Sequence, residues 1–240
     1  MKQPHINCDE NDIASSVIVC GDPARVERIA KLGSEYRHIS TNREFTVYET
    51  FFANQRITIC STGIGAPSAL IALEELIRCG AKNIIRVGSA GALQTTIKLG
   101  ELIVVEGAVR HDGASASYIE QAYPAVANLS LTNKLHTALV SSGVGYVSGL
   151  VRSHDSFYTD QEDEICHYWS HQGILGADME SGALLTLGRL RGVSVAVILC
   201  NVVEYLADLE ASINDYKDSE LLLANSERQA ALAALTALTI

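Results

Sequence analysis

Cations are scarce in this chain: its 240 residues hold 18 lysines and arginines against 28 aspartates and glutamates, a formal net charge of -10. A surface of that sign repels phosphodiester backbones, whose binding rests on lysine and arginine neutralising phosphates, so a nucleic-acid partner is excluded. A basic N-terminal stretch leading into an apolar run is also missing, and no window approaches 18 uninterrupted apolar residues. A soluble, cytoplasmic protein with no membrane partner is the expectation. The six cysteines stand singly, without one Cys-x-x-Cys pair. That spacing excludes a disulfide scaffold and gives no zinc or redox motif, so no metal site is expected. Cys20, Cys60 and Cys200 close apolar runs and read as thiols buried in strands. With no repeat at a fixed period and no low-complexity linker, residues 1–240 are expected to form one domain.

What the chain does have is alternation. Short β-branched runs exchange with helical patterns, which predicts an α/β domain whose central, mostly parallel or mixed, twisted sheet is flanked by helices. Strands are expected at Ser16 to Cys20, Phe45 to Phe52, Arg56 to Ser61, Asn83 to Val87, Leu102 to Val109, Tyr146 to Val151 and Val193 to Cys200. Helices are expected over Ala24 to Leu32, from Pro67 through Arg78, Leu175 to Leu190 and Lys217 to Leu238. Asp22-Pro23 supplies an N-cap and a first-turn proline for the first of these.

Three strand ends deliver glycine, arginine or hydroxyl groups toward what would be one edge of a parallel sheet, where ligands of such sheets bind. They are Gly21-Asp22-Pro23-Ala24-Arg25, Ser61-Thr62-Gly63-Ile64-Gly65 and Arg86-Val87-Gly88-Ser89. Together they fit an anion site without metal, though each alone also reads as an ordinary strand-to-helix turn. Neither a dinucleotide fingerprint nor a GxxxxGK[ST] phosphate loop is present. Asp178-Met179-Glu180-Ser181 opens an apolar helical segment. Its carboxylates are either solvated first-turn residues or acceptors for a sugar diol.

Seven motifs now stand in order: Pro4-His5-Ile6-Asn7, Gly21-Asp22-Pro23-x-Arg25, Arg43-Glu44-Phe45, Ser61-Thr62-Gly63-Ile64-Gly65, Arg86-Val87-Gly88-Ser89, Phe157-Tyr158 and Met179-Glu180. With them the chain resembles, over nearly its whole length, the hexamer-forming nucleoside phosphorylases, the family of uridine phosphorylase and bacterial purine nucleoside phosphorylase. Overall it lies closest to the uridine branch. The resemblance implies cleavage of a nucleoside by inorganic phosphate, as co-substrate and without a cofactor, to free base and ribose 1-phosphate. Gly21, Arg25, Arg86 and Ser89 would hold phosphate, with Arg43 reaching in from a neighbouring subunit. Met179 would lie under the ribose, Glu180 would bind its 2′ and 3′ hydroxyls, and the neighbour's copy of His5 would touch the 5′ hydroxyl. A homo-oligomer is therefore implied, a hexamer built as a trimer of dimers with sites shared across the dimer interface.

The resemblance also places Phe157, Gln161 and Asp163 at the base. Uridine phosphorylases carry Gly-Gln-x-Arg there, so Asp163 reverses the charge. Either it turns to solvent, or the pocket takes a base with N–H donors, as purines have. Asn201-Val202-Val203-Glu204-Tyr205 and Lys217 stand where the purine branch carries the aspartate and arginine that protonate purine N7. Glu204 is thus either that acid, assisted by Lys217, or an exposed loop carboxylate. Base identity stays open. A nucleosidase using water would leave Arg25, Arg43 and Arg86 without a purpose, and a non-catalytic nucleoside-binding protein is the remaining alternative.

Overall fold

The computed structural model describes residues 1–205 and 216–240, the side chains of 216–219 excepted. The first apolar run forms β1 (Ser16–Cys20), buried at every position as a strand covered on both faces must be. Asp22 then caps α1 (Pro23–Ala30), accepting from the Ala24 N–H at 2.8 Å, with Pro23 in the first turn. An antiparallel hairpin follows, β2 (Glu35–Asn42) and β3 (Phe45–Phe52), and leads into β4 (Gln55–Ser61) and α2 (Ala66–Arg78). Next come β5 (Asn83–Ala92), β6 (Leu102–His111), the single turn α3 (Gly113–Ala116) and the two-residue β7 (Ala125–Val126). The remainder runs α4 (Leu129–Ser142), β8 (Tyr146–His154), α5 (Glu162–His171), β9 (Gly176–Asp178), α6 (Ser181–Arg191), β10 (Ser194–Val203) and α7 (Tyr216–Ala237).

One mixed sheet holds these strands, in the order β10-β6-β8-β9-β5-β1-β4-β3-β2, with β7 paired to β6. Because β10 also pairs with β5, the strands β5, β10, β6, β8 and β9 close on themselves as a ring. The parallel pairs β1–β4 and β1–β5 set Cys20 level with Ser61 and Val19 level with Arg86. All three glycine-bearing strand ends therefore emerge at one edge, as expected. Apolar residues cover both faces. Leu73 and Leu76 of α2 and Leu184 and Leu187 of α6 pack with Val17, Val19 and Ile84. On the other face Ile29 of α1, Leu135 and Leu139 of α4 and Leu235 of α7 pack with Ile18, Ile59 and Ile85.

Three local expectations need correction. The helix expected over Leu175 to Leu190 begins only at Ser181, because Gly176–Asp178 is a strand wedged between β8 and β5. A side chain at Gly176 would lie 2.9 Å from the Gly91 carbonyl, so only glycine admits this close pairing. Strand β2 was not expected, since the stretch Glu35–Asn42 is polar on both faces and mostly exposed, as an edge strand can be. Two further helices emerge: α5 within the polar connection Ser153 to His171, and α4, which is bracketed by an Asn128 cap and a left-handed Gly143.

Candidate active site

Arg86 sits on β5 level with Val19, beside the ends of β1 and β4, and it is only 3% exposed. Its Nε donates to Asp178 Oδ2 at 3.2 Å and its Nη2 donates to Glu180 Oε2 at 2.5 Å, while its Nη1 has no partner among the described residues. Burial opposes the charge, but Glu180 and Asp178 outweigh it and hold the guanidinium's pKa above its ordinary value. The side chain folds back over its own strand. A Cβ at Gly88 would come within 2.7 Å of the Arg86 Cζ, so the glycine two residues on makes that fold possible.

The two carboxylates are themselves fixed. Asp178 accepts from the Ser181 N–H at 3.0 Å and the Ser181 hydroxyl at 2.6 Å, and Glu180 Oε1 accepts from the Gly65 N–H at 2.6 Å. Gly65, at φ 92°, precedes α2 in a left-handed conformation that disfavours any side chain. The carboxylates are thus buried acceptors and not solvated first-turn residues.

Beside this cluster, Arg25 Nη2 donates to Ser89 Oγ at 3.2 Å and Arg25 Nη1 to the Val87 carbonyl at 3.4 Å. Its Nε is held by Glu227 of α7 at 2.8 Å. A Cβ at Gly21 would lie 3.3 Å from the Gly63 carbonyl, so the loops after β1 and β4 touch here. Four expected anion residues, Gly21, Arg25, Arg86 and Ser89, thereby cluster at one sheet edge, with Glu180 and the half-buried Met179 next to them.

Other expected residues lie elsewhere. Arg43 occupies the β2–β3 turn at φ 55°, exposed and without a hydrogen bond among the described residues. His5 Nδ1 lies 2.6 Å from Glu75 Oε1, and the buried Glu75 also accepts the N–H groups of His5 and Ile6. Phe157 is 59% exposed and meets Tyr158 edge-on at 5.0 Å. Gln161 and Asp163 are exposed at the start of α5. Glu204, just beyond β10, accepts from the Leu99 N–H at 3.1 Å through one oxygen. The side chain of Lys217 lies outside the described residues.

A second buried cluster was not anticipated. Arg152 of β8, 4% exposed, donates from Nε to His111 Nδ1 at 3.3 Å and from Nη1 to Glu162 Oε1 at 3.1 Å. Burial, then Arg152, depress the His111 pKa, so the ring is neutral, and it packs edge-on against Trp169 at 5.0 Å. The strand expected to stop at Val151 runs on to His154, and Arg152 lies on this extension. A separate cavity, lined by Asn128, Arg189 and Ser194 among others, lies by the start of β10 at the opposite edge of the sheet.

The phosphorylase superfamily pattern matches residues 15–239. The chain belongs to that superfamily. A solved uridine phosphorylase from Vibrio fischeri superposes with a TM-score of 0.94 at 53% identity, covering 99% of this chain and 97% of that one. The uridine phosphorylase of Haemophilus influenzae is 33% identical over 247 residues, spanning 95% of this chain and 98% of its own. A guanosine phosphorylase from Halorubrum lacusprofundi is 36% identical over 201 residues, 84% of this chain and 83% of its own. Across the superfamily member described here, the likeness to uridine phosphorylases runs nearly end to end.

Proposed function

We propose that the clustered edge of β1, β4 and β5 binds inorganic phosphate beside a nucleoside and splits the bond between ribose and base. The chain is a uridine-phosphorylase-like nucleoside phosphorylase, a pentosyltransferase. One observation supports the placement of the reaction: Arg86, buried and doubly ion-paired, makes no hydrogen bond from Nη1 among the described residues, while Arg25 meets Ser89 three residues further along the same strand. A buried guanidinium with a spare donor is poised for an anion.

In this reading Gly21, Arg25, Arg86 and Ser89 grip the phosphate dianion, and no cofactor takes part. Glu180 accepts the ribose 2′ and 3′ hydroxyls and Met179 supports the sugar's face. Since Glu180 also receives Arg86 and the Gly65 N–H, the sugar and phosphate sites are rigidly linked through one carboxylate. As the glycosidic bond lengthens, positive charge grows on the ribose and phosphate captures it at the anomeric carbon. Orientation and electrostatic stabilisation supply most of the acceleration. Arg43, exposed on its turn and unpaired within its own chain among the described residues, suits service in a second copy's site, and His5 is assigned there too. That reading calls for a dimer unit with shared sites, and the family resemblance extends it to a hexamer built as a trimer of such dimers. Six free thiols fit a reducing cytoplasm.

For the base, uridine is the first reading. A purine nucleoside is the second, supported by a carboxyl group at Glu204 with one oxygen not engaged by the Leu99 N–H, and by the guanosine phosphorylase relative; Lys217, the other residue of that reading, has its side chain outside the described residues. The test is a panel of uridine, thymidine, inosine, adenosine and guanosine, each incubated with and without phosphate. Ribose 1-phosphate is expected only when phosphate is present. Base release at equal rates without phosphate would establish a nucleosidase, and saturable binding without products a binding protein.

A further inference from the structure

The loss of a cation at Asp163 is answered by Arg152, which reaches the same neighbourhood from a different element. Strand register fixes where it faces. Gly91 of β5 pairs with Ala177 of β9, and Ala177 pairs with Arg152 of β8. Paired residues project to the same side of a sheet, and so do residues two apart on one strand. Arg152 therefore shares a face with Gly91 and with Ser89, the hydroxyl that Arg25 contacts. Val151, on the opposite face, packs in the apolar core with Leu184 and Leu187. Two strand spacings of about 4.8 Å separate Arg152 from β5, roughly 10 Å in all, which is within the span of a nucleoside whose sugar lies at Glu180.

The pairing at this spot is unusual for a structural ion pair. Arg152 uses Nε and Nη1, leaving Nη2 without a hydrogen bond among the described residues. Glu162 receives Arg152 and the Cys166 thiol on Oε1, while Oε2 has only a long contact with Thr159 at 3.4 Å. Glu162 lies in the first turn of α5 between Gln161 and Asp163, the segment assigned to the base. A free donor and a free acceptor thus stand side by side, one on a strand and one on a helix.

We infer that Arg152 and Glu162 together read the edge of the nucleobase, Arg152 Nη2 donating to a ring carbonyl and Glu162 Oε2 accepting from the adjoining ring N–H. The chemistry selected is a lactam, the neighbouring C=O and N–H that uracil and the 6-oxopurines share. Cytosine and adenine present an amino donor beside an acceptor nitrogen, which sets donor against donor at Arg152 and acceptor against acceptor at Glu162. This inference rests on the phosphorolysis reading above.

The experiment measures kcat/KM with saturating phosphate for uridine, cytidine, inosine and adenosine, using the native enzyme, Arg152→Leu and Arg152→Lys. The native enzyme is expected to favour uridine over cytidine and inosine over adenosine by about 100-fold or more, as a site with committed buried polar groups does. Arg152→Leu should lose about 100-fold on the lactam substrates and little on their amino counterparts, with Arg152→Lys recovering part of the loss. Stabilisation of Arg152→Leu against heat by phosphate would show that its anion site still forms. If that variant does not fold, the native preference and the Lys variant decide the matter. A native enzyme indifferent to the lactam edge, or a folded Arg152→Leu that keeps the preference, would overturn the inference and leave phosphorolysis standing. Failure of the native enzyme to form ribose 1-phosphate from any of the four would instead remove the phosphorolysis reading.

Discussion

Glu227 of α7 holds Arg25 of α1 through a 2.8 Å bond between Oε2 and Nε, and the same carboxylate takes Arg28 through Nε at 2.9 Å. The C-terminal helix thereby sets the direction in which Arg25, assigned to the proposed anion site, points. With Nε committed to Glu227, the Nη2 of Arg25 is left to face Ser89. Glu227→Gln should raise KM for phosphate about tenfold, the worth of one charge-assisted hydrogen bond, and leave KM for the nucleoside near its native value. Initial rates with each substrate varied in turn check this, and an unchanged phosphate KM would show that Arg25 orients itself.

Arg86 neutralises two buried carboxylates, so removing it acts on stability as well as on turnover. Arg86→Ala leaves Asp178 and Glu180 unpaired and should destabilise the fold by about 3–5 kcal/mol, while phosphorolysis falls by about 10³. Gly88→Ala attacks the same guanidinium from below, through its clash at Cζ and one of 2.8 Å with Leu199 Cδ2. It should cost about 1–3 kcal/mol by overpacking. Denaturant titration and steady-state rates measure both variants; near-native phosphorolysis by Arg86→Ala would refute the anion-site assignment.

At Gly65 the strain and the site coincide. Gly65→Ala places a side chain at φ 92°, a conformation worth about 1–3 kcal/mol of strain, and shifts the N–H that holds Glu180. Loss of kcat/KM for the nucleoside should exceed the rise in KM for phosphate. A kcat/KM for the nucleoside left at its native value would mean that Glu180 is not the ribose acceptor.

Burial pushes the Cys20 thiol up to about 12 from an ordinary 9.0, and lifts Cys79 and Cys200 to about 11. The unfolded chain releases these protons near pH 9, whereas the folded chain keeps them. Above pH 9 the native state therefore binds more protons than the unfolded state, and stability falls as pH rises toward 12. Tm measured from pH 8 to 11 should decline, and Cys20→Ala should flatten the slope. A Tm that holds level across that range would contradict the burial of the thiols.

Much of the candidate site was legible in the sequence. Gly21, Arg25, Arg86 and Ser89 were found because each stands within a few residues of a strand end, and a parallel sheet brings such ends to one edge. Spacing alone did not interpret Asp178 and Glu180, since the same residues serve equally at the first turn of an exposed helix; the ribose role of Glu180 came only from the family resemblance. Their burial, and the donors that hold them, come from β9 closing the sheet between β8 and β5. Glu75, Glu227 and Arg152 went unrecognised because each acts through a partner far along the chain or on another element, and nothing in their own neighbourhoods marks them.

Local composition by itself determined the alternation of strands and helices, the capped start of α1 and the strand-end glycines and arginines, all of which depend on neighbours a few residues away. Only the tertiary structure decided which arginines carry carboxylates and which guanidinium nitrogens are left without a hydrogen bond among the described residues. These are properties of strand register and of long side chains meeting across the sheet, and sequence spacing does not encode them.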